Sequence, residues 1–194
     1  MLFRSLARAK AVTDNAQVIY NSPRQAVLGN PNGKITLVEF FDYNCGYCKK
    51  ALEDLAQIIK EEPELRIVIK DFPVLGPGSV EAAQVATALR NQFTGDKYWQ
   101  YHQKLLGTRG QIGKAQAISV ARELGADILR LEKDTSDPAT QASIQEVMNI
   151  ADALQLTGTP SFVLADDIVI GAVGYEALKT KIGNVKKCGK TLCG

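Results

Sequence analysis

The stretch that decides the fold is residues 35–70, which read ITLVEFFDYNCGYCKKALEDLAQIIKEEPELRIVIK. It begins with β-branched and aromatic residues interrupted by a single glutamate, which is typical of a strand buried on both faces. Apolar residues then recur at helical spacing from Leu52 to Ile59, and Pro63 ends the helix. The segment RIVIK at residues 66–70 has the composition of a second short strand. The order strand, helix, strand predicts a βαβ unit.

The sequence before this unit predicts one helix and a connector. Residues 1–20 have the spacing of an exposed amphipathic helix, with Leu2, Leu6 and Ala9 on one face. Residues 21–34 are rich in Pro, Gly and Asn, a composition typical of a connector rather than of a helix or a strand.

The sequence after the unit predicts a block of helices, because apolar residues recur at helical spacing throughout residues 79–156. The candidate N-caps of these helices are Ser79, Asp96, Asp127 and Asp137. The single histidine, His102, lies beside Trp99 in this block. It lies far in sequence from every motif, so we predict a satisfied or exposed helix residue rather than a catalytic group.

The end of the chain returns to a sheet pattern. Residues 161–165 and 168–172 are short apolar runs separated by Asp166-Asp167, which predicts a β-hairpin, and a last helix follows at residues 175–182. The sequence is thereby divided into an N-terminal helix and linker (1–26), a βαβ part (27–78), an inserted helical block (79–156), and a ββα part with the C-terminal tail (157–194).

Composition excludes several classes of protein. The chain has 194 residues, 45% of them hydrophobic, which is enough for a buried core in one domain. A net charge of +2 gives no electrostatic case for nucleic acid, and no apolar run is long enough to span a bilayer. No secretory signal is visible at the N-terminus. The chain is therefore either cytosolic or a mature or trimmed form, and composition does not choose between these.

The pair Cys45-x-x-Cys48 lies where the first strand turns into the helix. This spacing lets two sulfur atoms approach within disulfide geometry on the first helical turn. Cys45 lies at the helix N-terminus, where free N–H groups and the helix dipole stabilise a thiolate, and Lys49 and Lys50 add positive charge. A thiolate is the form of cysteine that attacks disulfides. The motif therefore predicts a redox centre.

Zinc binding is the alternative for the same motif. A tetrahedral zinc site needs four ligands, so Cys188 and Cys193 of the Lys-rich tail would have to converge on Cys45 and Cys48. A CxxC pair beside a βαβ pattern favours redox chemistry, and we expect neither a metal nor another cofactor. Cys188 and Cys193 are expected to form a small surface disulfide, with two free thiols as the alternative.

Two motifs together resemble a known family. VEFFDYNCGYCKKAL at residues 38–52 and TGTPSF at residues 157–162 resemble the DsbA-type thiol oxidoreductases of the thioredoxin superfamily, in their Com1/ScsC-like branch. The resemblance covers residues 27–183 and implies an α/β protein: a thioredoxin fold with an inserted helical domain. In that family the cysteine pair begins a helix, a cis-proline precedes a β-hairpin, and a helical domain is inserted between the two parts of the fold.

The glutamate of the first strand, Glu39, is a candidate for proton transfer. Alternation places it on the same strand face as Leu37 and Phe41, and burial should raise its pKa towards the range useful for acid–base chemistry. The resemblance implies that this acid moves a proton to or from Cys48. The alternative is a structural glutamate paired with Lys70 on the adjacent strand.

Thr159, Pro160 and Tyr47 are candidates for substrate binding. The resemblance implies that the Thr159–Pro160 bond is cis, packs against the cysteine pair, and exposes the Thr159 backbone to a substrate strand; a trans bond is the alternative. Strongly oxidising members usually carry His where Tyr47 stands, and the oxidases often carry Val where Thr159 stands. Both departures point away from a pure oxidase.

The resemblance thus implies a periplasmic enzyme that forms or isomerises disulfides in exported proteins, with Cys45 as the outward-facing nucleophile and Cys48 as the resolving thiol. Its implied partners are unfolded or misoxidised proteins and a membrane redox protein, and no nucleic acid is expected. Residues 1–20 leave a homo-oligomer through the N-terminal segment open. The alternative functions are a cytosolic thioredoxin-like or glutathione-linked reductase and, further from the pattern, a zinc-stabilised binding module.

Overall fold

A computed structural model describes residues 2–194, with side chains described from Ala7 onward. Five strands form one sheet in the order β1-β3-β2-β4-β5. The strands are β1 (Ala26–Gly29), β2 (Ile35–Phe41), β3 (Leu65–Asp71), β4 (Ser161–Leu164) and β5 (Asp167–Ile170). The helices are α1 (Leu2–Asp14), α2 (Ala16–Asn21), α3 (Gly46–Glu61), α4 (Pro77–Leu89), α5 (Gly95–Leu106), α6 (Lys114–Glu123), α7 (Ile128–Thr135), α8 (Pro138–Ala153) and α9 (Tyr175–Cys188).

The centre of the sheet is the predicted βαβ unit. β2 and β3 pair in parallel with Leu37 opposite Ile67, and α3 connects them. β4 pairs antiparallel with the other side of β2 and forms a hairpin with β5. Helices α4 to α8 follow β3 in the chain before the sheet resumes. The α/β class, with a run of helices between two parts of one sheet, is confirmed.

The sheet separates two buried clusters of apolar side chains. On one face Leu37 and Phe41 pack with α3 and the inserted helices. On the other face Val38 and Phe40 pack with Val12 of α1 and with residues of α2 and α8. Because successive residues of a strand point to opposite faces, β2 supplies side chains to both clusters, and six of its seven residues are buried. No helix within residues 2–194 is both long and apolar enough to cross a bilayer.

Two predictions for the N-terminal region are wrong. The connector contains β1, which pairs antiparallel with β3; four residues are too few to show a period, and pairing with a distant strand stabilises them. The N-terminal helix is not fully exposed, because Val12 and Ile19 are buried against the sheet, and it breaks at Asn15 into α1 and α2. The side chains of Leu2 and Leu6, assigned to its apolar face, lie outside the described residues.

Two of the four predicted N-caps are confirmed. Asp127 and Asp137 accept hydrogen bonds from the first-turn amides of α7 and α8. Ser79 and Asp96 are not caps: α4 begins two residues before Ser79 with Gly76 as its N-cap, and Thr94 caps α5. Ser79 is instead buried, and its hydroxyl donates a hydrogen bond to Asp42 in the turn after β2, a contact that the local sequence does not reveal.

The C-terminal tail folds back onto the hairpin. Cys188 and Cys193 form a disulfide, as expected. The hydroxyl of Thr191 donates a hydrogen bond to Asp167 at 3.0 Å, and the amide of Asn184 donates to the Thr191 carbonyl at 2.9 Å. Helix α9, which precedes this tail, ends at Cys188 and not at residue 182, where the sequence predicted its end.

Candidate active site

The two cysteines of the motif lie at the start of α3, at the carboxyl end of β2. Both are free thiols, with Cys45 as the N-cap and Cys48 in the first helical turn. The backbone N–H of Cys48 donates a hydrogen bond to Cys45 Sγ at 3.3 Å. Hydrogen bonding with the Cys48 side chain, then with Thr159 and with the backbone N–H groups of Cys48 and Tyr47, lowers the pKa of Cys45 to about 6 against the opposing effect of burial. The helix N-terminus thus stabilises a thiolate at Cys45 near neutral pH.

The second cysteine has the opposite electrostatic environment. Cys48 has no exposed surface, and burial raises its pKa far above the usual range, with its hydrogen bond to Cys45 and the charge of Glu39 acting in the same direction. Cys45 is less exposed than expected, because only 5% of its surface reaches solvent. The two thiols therefore differ mainly in proton affinity and only slightly in exposure.

The two lysines after the motif were expected to place positive charge close to the Cys45 sulfur, but the structure directs them elsewhere. The ammonium of Lys49 donates a hydrogen bond to the carbonyl oxygen of Thr108 at 2.6 Å, which directs it towards the inserted helices. Lys50 is exposed to solvent. Stabilisation of the thiolate therefore comes from hydrogen bonds at the helix N-terminus rather than from these ammonium groups.

Glu39 is buried in β2 on the face that carries the cysteine pair. Only 1% of its surface is exposed, and among the described residues neither carboxylate oxygen has a hydrogen-bond partner. Burial, followed by the charge of Cys45, raises its pKa to about 8. The alternative pairing with Lys70 is wrong: Lys70 lies on the other face, where its ammonium donates to the Val18 carbonyl and to Gln25, each at 2.7 Å.

Thr159 and Pro160 lie directly beside the cysteine pair, at the entrance to β4. Their peptide bond is cis. The Cys45 thiol donates a hydrogen bond to the carbonyl oxygen of Thr159 at 3.2 Å, and the Pro160 carbonyl accepts from the N–H of Gly171 at 2.8 Å. Tyr47, between the two cysteines, projects outward with 70% of its surface exposed. The structure thus brings all six sequence-predicted site residues to one end of the sheet.

Sequence reasoning missed a buried polar network that holds the turn before Cys45. The carboxylate of Asp42 accepts hydrogen bonds from the Asn44 N–H at 2.8 Å and from the Ser79 hydroxyl at 2.7 Å. The side-chain amide of Asn44 bonds the N–H and carbonyl of Ile112 at 2.7 and 2.8 Å, across to the inserted helices. The signal was the run Asp-Tyr-Asn at a strand end, since Asp and Asn side chains often bond nearby backbone in turns.

His102 is also placed differently from the prediction. It is fully buried, and its Nε2 atom has no hydrogen-bond partner among the described residues, so it is neither exposed nor fully satisfied. Its ring lies edge-on to Phe41 and stacked against Trp99, with centroids 4.7 and 5.7 Å away. Burial lowers its pKa to about 3, which keeps the imidazole neutral. It therefore packs behind the active-site strand as an uncharged ring.

The difference between the two thiols predicts selective alkylation. With iodoacetamide, the reduced protein is expected to react at Cys45, with a rate that reaches half its maximum near pH 6, because the thiolate is the reactive form. Cys48 should remain unmodified up to at least pH 9. Peptide mapping by mass spectrometry across pH 4 to 9 measures both rates. Modification of Cys48 before Cys45 contradicts the assignment.

Comparison with known proteins agrees with this geometry. A family model described as a DSBA-like thioredoxin domain matches residues 36–183. A thioredoxin-like oxidoreductase from Silicibacter pomeroyi DSS-3 has 38% sequence identity and a TM-score of 0.84, covering 90% of this chain and 99% of that one. A periplasmic thioredoxin-like protein from Salmonella enterica serovar Typhimurium has 27% identity and a TM-score of 0.79, covering 87% and 94%.

Longer proteins contain a similar segment. The Na(+)/H(+) antiporter NhaA 1 of Salinispora arenicola (strain CNS-205) is 27% identical over 161 residues, which are 82% of this chain and 24% of the antiporter. The chain thus spans about a quarter of the length of such curated relatives. The family match covers nearly all of β2, the whole of β3, β4 and β5, and all the helices between β2 and β4. The chain therefore belongs to the family of DSBA-like thioredoxin domains.

Proposed function

We propose that the chain is a thiol–disulfide oxidoreductase that exchanges disulfides with protein substrates through Cys45 and Cys48. The observation that carries this proposal is the opposite tuning of the two thiols, since the pKa of Cys45 is lowered to about 6 while that of Cys48 is raised. Such a difference in pKa determines which sulfur attacks an external partner and which one acts later as the resolving thiol. Cysteines with perturbed pKa values of this kind are typical of functional sites.

In the oxidising direction, a substrate thiolate attacks Cys45 Sγ of the Cys45–Cys48 disulfide. The sulfur–sulfur bond within the enzyme breaks, a mixed disulfide forms, and Cys48 leaves as a thiolate that takes up a proton. A second substrate thiolate then attacks the substrate sulfur of the mixed disulfide, which yields the substrate disulfide and releases Cys45 as a stabilised thiolate. Two electrons pass from the substrate to the enzyme.

Glu39 is the group we assign to the proton transfer at Cys48. It is buried on the same side of the sheet, it has no competing hydrogen bond among the described residues, and its charge contributes to the raised pKa of Cys48. A pKa of about 8 lets the carboxyl group donate a proton to the departing Cys48 thiolate and accept it again when Cys48 attacks.

Substrate binding is assigned to Thr159, Pro160 and Tyr47. The Thr159 carbonyl already lies within hydrogen-bond distance of Cys45, so backbone groups of an extended substrate can pair beside the reacting sulfur. The exposed ring of Tyr47 offers an apolar contact next to the nucleophile. An unfolded protein presents both an accessible backbone and apolar side chains, which favours unfolded or misoxidised substrates.

We further propose that the enzyme works in the periplasm on exported proteins. The Cys188–Cys193 disulfide fits an oxidising compartment, and one similar protein is described as periplasmic. Reoxidation of the reduced pair needs an electron acceptor, for which we propose a membrane redox protein. The same disulfide removes two of the four ligands of the zinc alternative. The cytosolic reductase remains the second candidate.

The reduction potential of the Cys45/Cys48 pair tests this function. We expect a value between about −120 mV, that of a strong oxidant, and about −270 mV, that of thioredoxin, because no histidine stands between the cysteines to stabilise the thiolate further. Equilibration with glutathione buffers measures it, and refolding of a reduced, unfolded protein measures catalysis. A potential at or below the thioredoxin value, with no catalysis of disulfide formation or isomerisation, supports the reductase instead.

A further inference from the structure

We propose that the outer edge of β1 binds an extended, acidic segment of a partner protein, which pairs with this strand as a sixth strand of the sheet. The site is a cavity of about 700 Å³ beside β1. β3 lies between β1 and β2, so the cavity is separate from the strand end that carries the cysteine pair. The proposal therefore goes beyond the redox function and does not depend on it.

The cavity lies at the edge of the sheet, between helices that cover its two faces. On one face, Ala26 and Leu28 belong to the same apolar cluster as Tyr98 of α5. On the other face, Val27 packs against the cluster to which α8 contributes. The lining comes from β1 and the residues before it, from the connection between α4 and α5, and from the N-terminal halves of α5 and α8. The edge of β1 thus faces a cavity of a size typical of ligand sites.

The backbone of β1 offers hydrogen-bonding groups to this cavity. The N–H of Asn30 donates to the carbonyl of Leu65 at 2.9 Å, and these two residues continue the register of β1 and β3. Because hydrogen bonding alternates along an antiparallel pair, Ala26 and Leu28 bond β3, whereas Val27 directs its N–H and carbonyl away from β3. Among the described residues, neither group of Val27 bonds a helix or a loop. An incoming strand can pair with both.

Two prolines limit the length of the segment that fits. Pro23 and Pro31 precede and follow β1 in the chain, and both line the cavity. Proline has no N–H group, so the ladder of hydrogen bonds cannot continue past either residue. β1 has four residues, which span about 13 Å. The edge therefore suits one short extended segment rather than the long pairing of two whole sheets.

The charge of the lining favours an acidic segment. Arg24 and Arg90 line the cavity, and no carboxylate does so among the described residues. Arg90 is held in a buried ion pair with Asp71. Arg24 is half exposed and lies 3.4 Å from a carboxylate oxygen of Glu146, a contact that contributes little at an exposed site. The Arg24 guanidinium is therefore available to a carboxylate of the incoming segment, three residues before the backbone groups that bind its strand.

The test uses a fluorescent pentapeptide of alternating valine and glutamate, blocked at both ends. Valine favours the extended conformation, and glutamate supplies the carboxylates. Fluorescence anisotropy with the intact protein should give a Kd below about 1 mM. The same peptide with every backbone amide N-methylated should bind at least about tenfold less tightly, because it cannot donate to the Val27 carbonyl. A glutamine version of the peptide should bind about threefold less tightly.

Variants of β1 test the same contacts from the side of the protein. Val27→Pro removes an N–H that does not bond β3, so the β1–β3 pair is retained while binding of the peptide falls at least about tenfold. Val27→Thr is the matched control, because it keeps the N–H and the branched side chain, and it should bind as the parent does. Arg24→Gln should remove the preference for glutamate over glutamine. Disulfide exchange with glutathione should be unchanged in all three variants.

Every outcome bears on the proposal. A parent protein that binds no peptide at about 1 mM overturns the site. Equal binding of the N-methylated and unmodified peptides overturns strand pairing, and so does a folded Val27→Pro variant that binds normally. If that variant does not fold, the N-methylated peptide on the parent protein decides. Dimerisation that rises with protein concentration and that the peptide abolishes would assign the edge to a second copy of the chain and overturn the partner segment.

Discussion

Cys48→Ser is expected to turn the enzyme into a trap for its substrates. Cys45 still attacks a substrate disulfide, because the serine hydroxyl keeps a hydrogen-bond donor at position 48 and the backbone N–H groups that also lower the pKa of Cys45 remain in place. The mixed disulfide then lacks its resolving thiol and accumulates. Nonreducing electrophoresis of the variant with a scrambled-disulfide protein should show one covalent 1:1 complex that dithiothreitol removes, while turnover falls to the uncatalysed background.

Cys45→Ser is the matched control for the trap. It leaves the buried thiol, whose raised pKa makes it unreactive near neutral pH, so neither a complex nor turnover is expected. The order of attack assigned to the pair is wrong if Cys45→Ser forms as much covalent complex as Cys48→Ser.

Glu39→Gln is expected to stabilise the protein, most strongly at neutral and alkaline pH. The carboxyl group has a pKa of about 8 in the folded protein and about 4.3 when unfolded, so folding takes up a proton between these values. Stability supplied by this group is complete below about pH 4 and is lost as the pH rises towards 8. A neutral glutamine does not have to take up this proton, so the gain in stability at pH 7 is up to about 4 kcal/mol.

The same substitution is expected to slow the redox reaction about a hundredfold, because positioned proton transfer typically contributes that much. The slow step should be the resolution by Cys48, so mixed disulfides persist longer while alkylation of Cys45 remains fast. Urea titrations at pH 5, 7 and 8.5 measure the stability, and single-turnover quenching measures the resolution step. A variant that is less stable at every pH, or that resolves at the parent rate, refutes the role assigned to Glu39.

Local sequence patterns were sufficient for the parts of the site that depend on local geometry. The two-residue period of β2 places Glu39 on the same face as Leu37, and the junction of strand and helix places Cys45 at a helix N-terminus. Thr159 and Pro160 lie more than a hundred residues away along the chain. Only resemblance to a known family connected them with the cysteines.

Most of the missed features depend on partners that are distant in the chain. β1 forms because β3 offers an edge, and Ser79 is buried because Asp42 is there to accept its hydroxyl. His102 is predicted poorly for the same reason, since the burial of its ring depends on Phe41 of β2, which lies far away along the chain, as well as on Trp99 of its own helix. No periodicity or propensity reports such contacts, which exist only after the helices have packed on the sheet.

The bridge from Asn44 to Ile112 also determines where foreign sequence can be grafted into this protein. Extra residues in the α5–α6 loop would displace Ile112. The side-chain amide of Asn44, directly before Cys45, would then lose its two hydrogen bonds to the Ile112 backbone. The turn between α6 and α7 at Gly125 makes no described hydrogen bond to residues 42–48, and space around that glycine is open. An epitope or a fluorescent label spliced into that turn would report on the enzyme without altering its redox chemistry.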